Sequence, residues 1–337
     1  MKEGIFALLT AAAISVTAVP QAASAVSPEV GEYLTRMATG TLYVRYDGED
    51  KSVPESEAVP ELPFFESEIE ESPEESMGAD LPEIPQGAVA VQAVNLSRLE
   101  VTETPRLLLA NETKFTVNLD NLADKTQKIK SGAVLIIHTH GTEAYLPPNV
   151  EYYMEGEDFR STDKKENVVA VGEEFAAVLR ANGIEVYHDQ TMYDEHSYTN
   201  AYAASRAACR QWLADHPEIS YIIDKHRDAV GETQKPLCII DGVKTAQVML
   251  VIGTNEAGAN HSGWQDNLSV GAKYQRHLNN YPTLARPVYL RRASYNQQLC
   301  KGSMLIEIGS AANTIDEAKA AAKLSAEAFC KLYNELK

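Results

Sequence analysis

The sequence predicts an α/β fold in which a mainly parallel, mixed β-sheet is flanked by helices. Along residues 107–337, apolar runs of strand length alternate with segments whose apolar residues recur at helical spacing. Several runs are apolar throughout, which is typical of strands buried on both faces of a sheet. Strands that alternate with helices favour parallel pairing with helices on both faces. We therefore expect a single domain over residues 107–337.

The predicted elements follow one another in a regular order. The first strand is VLIIHTH at 134–140, and the first helix covers residues 167–182, with Gly183 at the position after its last turn. The later elements are a strand at 184–189, a helix at 201–213, strands at 221–228 and 246–253, a helix at 264–280, strands at 287–292 and 303–310, and a helix at 314–336.

Three segments precede this domain in the 337-residue chain. Residues 1–25 combine Lys2, an apolar stretch and the triplet ASA, which together are typical of a secretory signal. The apolar stretch is shorter than the ~20 residues that span a bilayer, although an uncleaved membrane anchor is the alternative. Residues 26–46 form a short N-terminal segment with a predicted helix at 30–37 and a strand at 42–46. The rest of the chain is expected outside the cytoplasm in either case.

Residues 47–95 are predicted to be an acidic, disordered spacer. Fourteen Asp and Glu residues in the stretch 47–83 face a single basic residue, Lys51. Such a composition buries too little apolar surface to offset chain entropy. The segment accounts for most of the net charge of −18. That charge argues against nucleic acid as a partner, and against membrane contact other than through the N-terminal segment.

The four cysteines, Cys209, Cys238, Cys300 and Cys330, are widely separated and form no CxxC pair. A cysteine zinc site is therefore not expected. Buried, apolar thiols are the simplest interpretation, and disulfides are the alternative in an exported protein.

Polar residues mark the ends of three predicted strands. His138 and His140 end the first, His226 lies near the end of the strand at 221–228, and Glu307 interrupts the apolar strand at 303–310. Ligands of open α/β sheets bind beyond the carboxyl ends of the strands. An acid between two isoleucines is costly to bury without a partner, which favours a functional role for Glu307.

These residue types match a zinc hydrolase site. Such a site needs three His or carboxylate ligands, and a nearby carboxylate that transfers protons. His140, Glu143 and His226 are the predicted ligands, and Glu307 is the predicted general base. The sequence therefore predicts Zn²⁺ as the cofactor.

Several alternatives stay open at this point. His138 could replace His140, or it could support a ligand from outside the coordination shell. Glu166, just ahead of the first helix, competes with Glu143, although an acid there also suits the helix dipole. His226 could belong to a structural ion-pair cluster in DKHRD. The remaining histidines are expected at the surface or at caps: His188, His196, His216, His261 and His277.

Four motifs in this order resemble the stage II sporulation protein P family. They are LIIHTHGTEAYLP, ENVVAVGEEFAAVLRANGIEVYHD, YIIDKHRDAV and SMLIEIGSAANTIDEAKAAAKL. The resemblance implies a zinc amidase/carboxypeptidase-like fold of the phosphorylase/hydrolase-like type. It implies a sporulation peptidoglycan hydrolase related to zinc N-acetylmuramoyl-L-alanine amidases, which also cleaves stem peptides during engulfment at the sporulation septum. The implied partners are peptidoglycan and the stage II sporulation proteins D and M.

The resemblance carries over to residues of the matching motifs. The HTH histidine corresponds to His140 or His138, the HRD histidine to His226, and the strand glutamate to Glu307. The wider amidase superfamily favours Glu166 as third ligand, whereas HTHxTE favours Glu143, which we prefer. Lys225 departs from the expected pattern, because an apolar residue is expected inside that strand.

Arg227 is predicted either to orient a stem-peptide carboxylate or to form a structural ion pair. Two other functions are compatible with the same residues. One is a zinc carboxypeptidase-like peptidase, and the other is a non-catalytic wall-binding protein with a degenerate site.

Overall fold

A seven-stranded sheet brings the ends of three predicted strands to one edge. The computed structural model describes residues 84–97, 107–120, 122–125, 129, 131–231 and 233–337. Ile84–Lys337 is one compact unit. The predicted signal or anchor, the short N-terminal segment and most of the spacer lie outside the described residues. In the part of the chain that is described, no helix is both long and apolar enough to cross a membrane.

The described strands are β1 (Ala88–Ala90), β2 (Gln92–Val94), β3 (Leu109–Asn111), β4 (Ala133–Ile137), β5 (Tyr152–Met154), β6 (Val186–His188), β7 (Ile219–Asp228), β8 (Gln234–Ile240), β9 (Val243–Ala246), β10 (Val248–Gly253), β11 (Val288–Arg291) and β12 (Met304–Ser310). The α-helices are α1 (Val168–Ala181), α2 (Ala201–Asp215), α3 (Trp264–Leu278) and α4 (Ile315–Leu336). Short 3₁₀ turns lie at Ala123–Lys125, Tyr198–Asn200 and Gln297–Leu299.

The central sheet is mixed but mainly parallel, as predicted. Its order is β3-β11-β10-β12-β7-β4-β6. The strands β12, β7, β4 and β6 pair in parallel, and so do β10, β11 and β3. The antiparallel pairing of β10 with β12 joins the two groups. The α/β fold class is therefore confirmed.

Alternating side chains of β4 pack into two different hydrophobic cores. Val134 and Ile136 of β4 belong to a large cluster with apolar residues of α1, α3 and α4. Leu135 and Ile137 of the same strand belong to a smaller cluster with Cys209 of α2. Helices thus cover both faces of the sheet, which explains why β4 is apolar throughout.

Helix α1 begins and ends where the sequence predicts. Asn167 caps its N-terminus by accepting a hydrogen bond from the Val169 amide at 3.0 Å. After its end, Gly183 adopts a φ of +75°, the left-handed conformation that favours glycine. Helix α4 likewise begins after Thr314, which forms a capping box with Glu317.

Several strands of the fold were not predicted, among them β3 and β5. Residues 88–94, placed in the spacer, form β1 and β2, which pair with β5 and β8. The hairpin of β8 and β9 was also not predicted. The hairpin of β8 and β9 is local, whereas β1 and β2 are three residues each and are stabilised by pairing with strands distant in sequence. Composition does not report such pairing.

The cysteines are free thiols in this fold. Cys209, Cys238 and Cys330 are buried, and Cys300 is partly buried. Burial raises the pKa of Cys209 to about 12. These thiols act as small apolar side chains, as the simplest interpretation of the sequence has it.

Lys225 is buried although its strand position was expected to be apolar. Its side chain points to the α1 face of the sheet, where Nζ lies 3.6 Å from the centre of the Phe175 ring. Burial lowers the pKa of Lys225 well below its ordinary value. Lys225 therefore packs as an apolar residue would, and its amino group contacts the face of an aromatic ring.

Helix α1 approaches β4 closely at Gly172. A Cβ at this position would lie 2.5 Å from His138 Cε1 and 3.0 Å from His188 Nε2. Both neighbours are buried or nearly so, so little space is left for a methyl group. Glycine at 172 is therefore required by packing and not by backbone conformation.

We expect Gly172→Ala to lower the free energy of unfolding by about 1–3 kcal/mol, because overpacking forces α1 away from β4. Urea unfolding followed by circular dichroism measures the change. Gly263→Ala, where the added methyl meets open space, is the matched control. Equal stability of the two variants would contradict the packing argument.

Candidate metal centre

The end of β4 directs His138 and His140 to different surroundings. Ile137 is paired with Asp224 of β7. The next backbone amide, that of Thr139, donates to Asp224 Oδ1 at 2.9 Å, and the Thr139 hydroxyl donates to Oδ2 at 2.6 Å. This double contact holds the chain as it leaves the sheet and fixes the directions of both histidines.

His138 lies under helix α1, away from the other candidate ligands. Its Nδ1 is 3.2 Å from the Lys225 carbonyl oxygen, and its Nε2 is 2.8 Å from His188 Nε2. His188 in turn contacts Glu173 at 2.8 Å. Burial and the neighbouring His188 lower the pKa of His138 well below its ordinary value. Both ring nitrogens of His138 are thus occupied by protein contacts.

His140 lies beside His226, with 5.4 Å between the ring centres. Its Nδ1 is buried without a hydrogen bond and lies 3.8 Å from Asp194 Oδ2. The Tyr198 ring stacks on the imidazole at 4.3 Å, and the Arg160 guanidinium lies over that tyrosine. Of the two histidines of HTH, His140 is therefore the one directed towards His226.

Glu143 is brought to the same place by a tight turn. Its amide donates to the His140 carbonyl oxygen at 3.2 Å, and its own carbonyl oxygen accepts from Val168 at the start of α1. The carboxylate accepts from the Arg227 amide at 3.1 Å and lies 3.5 Å from His226 Nδ1. Although burial opposes ionisation, His226 and Arg227 lower the pKa of Glu143 to about 2.

Glu166 has different surroundings. Its side chain is exposed and accepts a hydrogen bond from the Ser161 hydroxyl at 3.0 Å. Asn167, and not Glu166, caps helix α1. The structure thus brings Glu143 to the two histidines, whereas the carboxylate contact of Glu166 is to Ser161.

His226 lies between two carboxylates. Its Nε2 is 2.9 Å from Asp224 Oδ1, outside hydrogen-bond geometry, and its Nδ1 faces Glu143. Burial alone would lower the pKa of His226, but Asp224 and Glu143 raise it well above its ordinary value. The predicted ion-pair cluster of DKHRD thus exists in part, and it is continuous with the candidate site.

Glu307 is directly opposite His226 in the parallel pairing of β12 with β7, and opposite Met249 of β10. It is partly buried. The sheet register therefore brings this acid to the edge at which His140, Glu143 and His226 meet. The sequence placed His140, His226 and Glu307 on three strand ends and Glu143 just after the first, and the fold brings these segments to one edge.

Arg227 donates from Nη2 to the Phe159 carbonyl oxygen at 2.8 Å. This contact ties β7 to the loop that precedes α1. The orientation of a substrate carboxylate by Arg227 stays a prediction.

Two aspartates next to the histidines were not predicted as site residues. Asp194, whose side chain is fully buried, accepts from the Thr142 hydroxyl and from Arg160, both at 2.6 Å, and faces His140. Asp224 likewise faces His226, with its Oδ1 2.9 Å from His226 Nε2. Asp224 could have been found, since residues two apart in a strand share a face. Asp194 lies in a loop, where no sequence periodicity relates it to the other site residues.

The prediction that the other histidines lie at the surface or at caps is wrong for three of them. His261 and His277 are buried, and the side chain of His188 is 2% exposed. His188 is held by His138 and Glu173, a partnership that sequence distance conceals.

The donor atoms at this edge fit zinc in kind, since two imidazoles and one carboxylate are common zinc ligands. Buried His140 Nδ1 and His226 Nε2 make no hydrogen bond, although each faces a carboxylate, that of Asp194 and Asp224 respectively. Within the described residues, however, no group of three or more His, Cys, Asp or Glu side chains is arranged closely enough to hold a metal ion. His226 and Glu143 instead contact each other.

Comparison with known proteins places the chain in a family. The family model for "Stage II sporulation protein P (SpoIIP)" matches residues 53–330. Stage II sporulation protein P of Bacillus subtilis (strain 168) is 28% identical over 242 residues, which cover 67% of this chain and 58% of that protein. The match confirms the resemblance carried by the four motifs. The aligned region spans little more than half of the relative.

Solved structures give weaker likenesses. The amidase Ami1 of Mycobacterium smegmatis is 10% identical, with 62% of this chain and 100% of that chain covered and a TM-score of 0.35. The CwlD amidase of Clostridioides difficile, solved with the GerS lipoprotein, is 13% identical, with 60% and 98% covered and a TM-score of 0.35. Overlaps this low assign neither fold nor activity.

We expect Asp194→Asn to lower the free energy of unfolding at pH 7 by about 2 kcal/mol. Burial opposes its ionisation, but His140 and Thr142 lower the pKa of Asp194 to about 2, from an ordinary 3.8. The ionised form therefore stabilises the fold above about pH 4, and this contribution is lost as the pH falls through 3.8 towards 2.

Urea unfolding of the metal-free protein between pH 2.5 and 7 measures this difference. Asp158→Asn changes an exposed acid and serves as the control. A gap between wild type and Asp194→Asn that stays constant with pH would contradict the assignment.

Proposed function

We propose that this chain, which belongs to the stage II sporulation protein P family, is a zinc-dependent peptidoglycan hydrolase. The bond we assign is the amide between N-acetylmuramic acid and L-alanine, with stem-peptide cross-links as a second target. The observation that carries the proposal is the meeting of His140, Glu143, His226 and Glu307 at one edge of the sheet. Burying two imidazoles and a carboxylate beside each other is costly, which favours a functional role.

His140, Glu143 and His226 would hold the zinc ion. When bound, zinc in such a site supplies a Lewis acid that activates water and polarises a carbonyl group. The buried carboxylate of Glu143 is ionised at neutral pH because its pKa is about 2. Asp194 and Asp224 orient the two imidazoles, as acidic partners of ligand histidines commonly do.

Glu307 is the proton carrier of the proposed reaction. Its carboxylate accepts a proton from the attacking water as the water oxygen bonds to the amide carbon. The C–N bond then breaks, and Glu307 returns the proton to the departing nitrogen. The products are a free lactyl carboxylate on the muramic acid and a free amine on L-alanine. The place of Glu307 beside His226 suits this role.

The substrate lies outside the cytoplasm, so we assign the protein to that side of the membrane, with export by its N-terminal segment. The stage II sporulation proteins D and M stay predicted partners. The family resemblance supports both these partners and the role in engulfment.

We expect Glu143→Gln to reduce the zinc affinity of the purified protein at least 10-fold, because a neutral amide is a much weaker ligand than a carboxylate. Glu166→Gln is the matched control and keeps wild-type affinity. Competition with a chromogenic chelator measures both. The opposite ranking would assign the third ligand to Glu166.

We expect Glu307→Gln to lower turnover by at least about 100-fold, since the proton carrier is lost, while zinc content stays at the wild-type level. Mass spectrometry of digested peptidoglycan, with and without chelator, measures the products. Free lactyl-muramic ends identify an amidase, and new peptide ends identify a peptidase. A zinc-free folded protein, or full activity of Glu307→Gln, would contradict the proposal.

A further inference from the structure

An aromatic side chain from helix α2 covers both candidate ligand histidines. The Tyr202 ring is parallel to the His226 ring at 6.4 Å, with an interplanar angle of 9°. The same ring meets His140 edge-on at 5.4 Å. Tyr202 therefore lines the site beside both histidines.

A strained turn packs against this tyrosine. Tyr295 and Asn296 are consecutive non-glycine residues with φ values of 48° and 60°. Left-handed backbone is unfavourable for residues other than glycine, and such strain persists where the surroundings enforce it. The turn places the Tyr295 ring edge-on to the Tyr202 ring, with 5.7 Å between the ring centres.

Side-chain hydrogen bonds hold the turn to helix α2. Asn296 Nδ2 donates to the Tyr202 carbonyl oxygen at 2.9 Å and to Ser205 Oγ at 3.1 Å. Arg206 Nε donates to Asn296 Oδ1 at 2.8 Å. The strained residue thus fixes the first turn of α2, from which Tyr202 projects.

The same network reaches the histidines. Thr139 Oγ1 lies 2.9 Å from Ser205 Oγ and donates to Asp224, which contacts His226. A buried polar chain therefore links the strained turn, the start of α2, the end of β4 and β7. Networks of this kind fix geometry when every member has a partner.

We propose that Tyr202 is a further catalytic residue, whose hydroxyl donates a hydrogen bond to the carbonyl oxygen of the scissile amide. This oxygen gains negative charge as water adds to the carbonyl carbon, and a fixed donor in a buried site stabilises that charge. The proton stays on the tyrosine throughout.

Several other groups around the site are poorly suited to this task. Glu143, Asp224 and ionised Glu307 are acceptors. Arg160 is bound to Asp194 and Thr142, and Tyr145 donates to the Ile308 carbonyl oxygen at 2.9 Å. Tyr202 is a phenol, which is protonated at neutral pH. It therefore supplies the donor that the carboxylates beside it cannot.

This inference rests on the proposed function, so wild-type turnover with zinc is measured first. We expect Tyr202→Phe to lower kcat by about 100-fold, the usual effect of losing one donor to a developing oxyanion, with KM changed less than about threefold. Phenylalanine keeps the ring contacts, so zinc affinity and thermal midpoint stay at wild-type values. Tyr281→Phe, whose hydroxyl contacts Glu327, is the matched control with unchanged kcat.

A second variant, Asn296→Ala, releases the turn that holds Tyr202 and is expected to lower kcat while zinc affinity is kept. Unchanged kcat in both variants would overturn the role of Tyr202. So would a loss of zinc from Tyr202→Phe, which indicates a structural role, or a kcat loss confined to Tyr198→Phe. A wild-type protein without zinc-dependent turnover overturns the proposed function itself.

Discussion

The parallel register of β7 and β12 is the constraint on which the candidate site depends. It sets Glu307 opposite His226, while the register of β4 with β7 sets Ile137 opposite Asp224 and so aims the HTH segment. A slip of one residue would exchange the faces of a strand. Lys225 or Arg227, depending on the direction of the slip, would then replace His226 at the site. The large apolar core on the other face holds this register, because it accepts Ile223 and Ile306 only in the observed alignment.

Charge pairing then determines how polar residues are buried at that edge. Each candidate ligand histidine has its own aspartate, Asp194 for His140 and Asp224 for His226. These acids are in turn held by Thr142 and Thr139. Buried polar groups without partners would destabilise the fold by several kcal/mol. The network therefore stabilises the protein and orients the imidazoles at the same time.

The two faces of the sheet divide stability from chemistry. On the α1 face, Gly172 admits His138 and His188, and Lys225 packs on Phe175. On the α2 face, the strained Tyr295–Asn296 turn and Tyr202 surround the histidines. Two of the non-glycine residues with positive φ, Tyr295 and Asn296, thus lie on the face that carries the site. The opposite face contributes most of the apolar packing of the sheet.

The sequence by itself determined the α/β class, helix α1 with its cap, and the order of the motifs, because these follow from apolar periodicity and local capping. It also carried an unused signal, the Asp241–Gly242 dipeptide, whose positive φ angles form the turn between β8 and β9. Only the tertiary structure separated His138 from His140, placed Glu143 and not Glu166 beside His226, and recruited Asp194 and Tyr202. Those choices depend on strand register and on contacts between residues far apart in sequence, which no local pattern encodes.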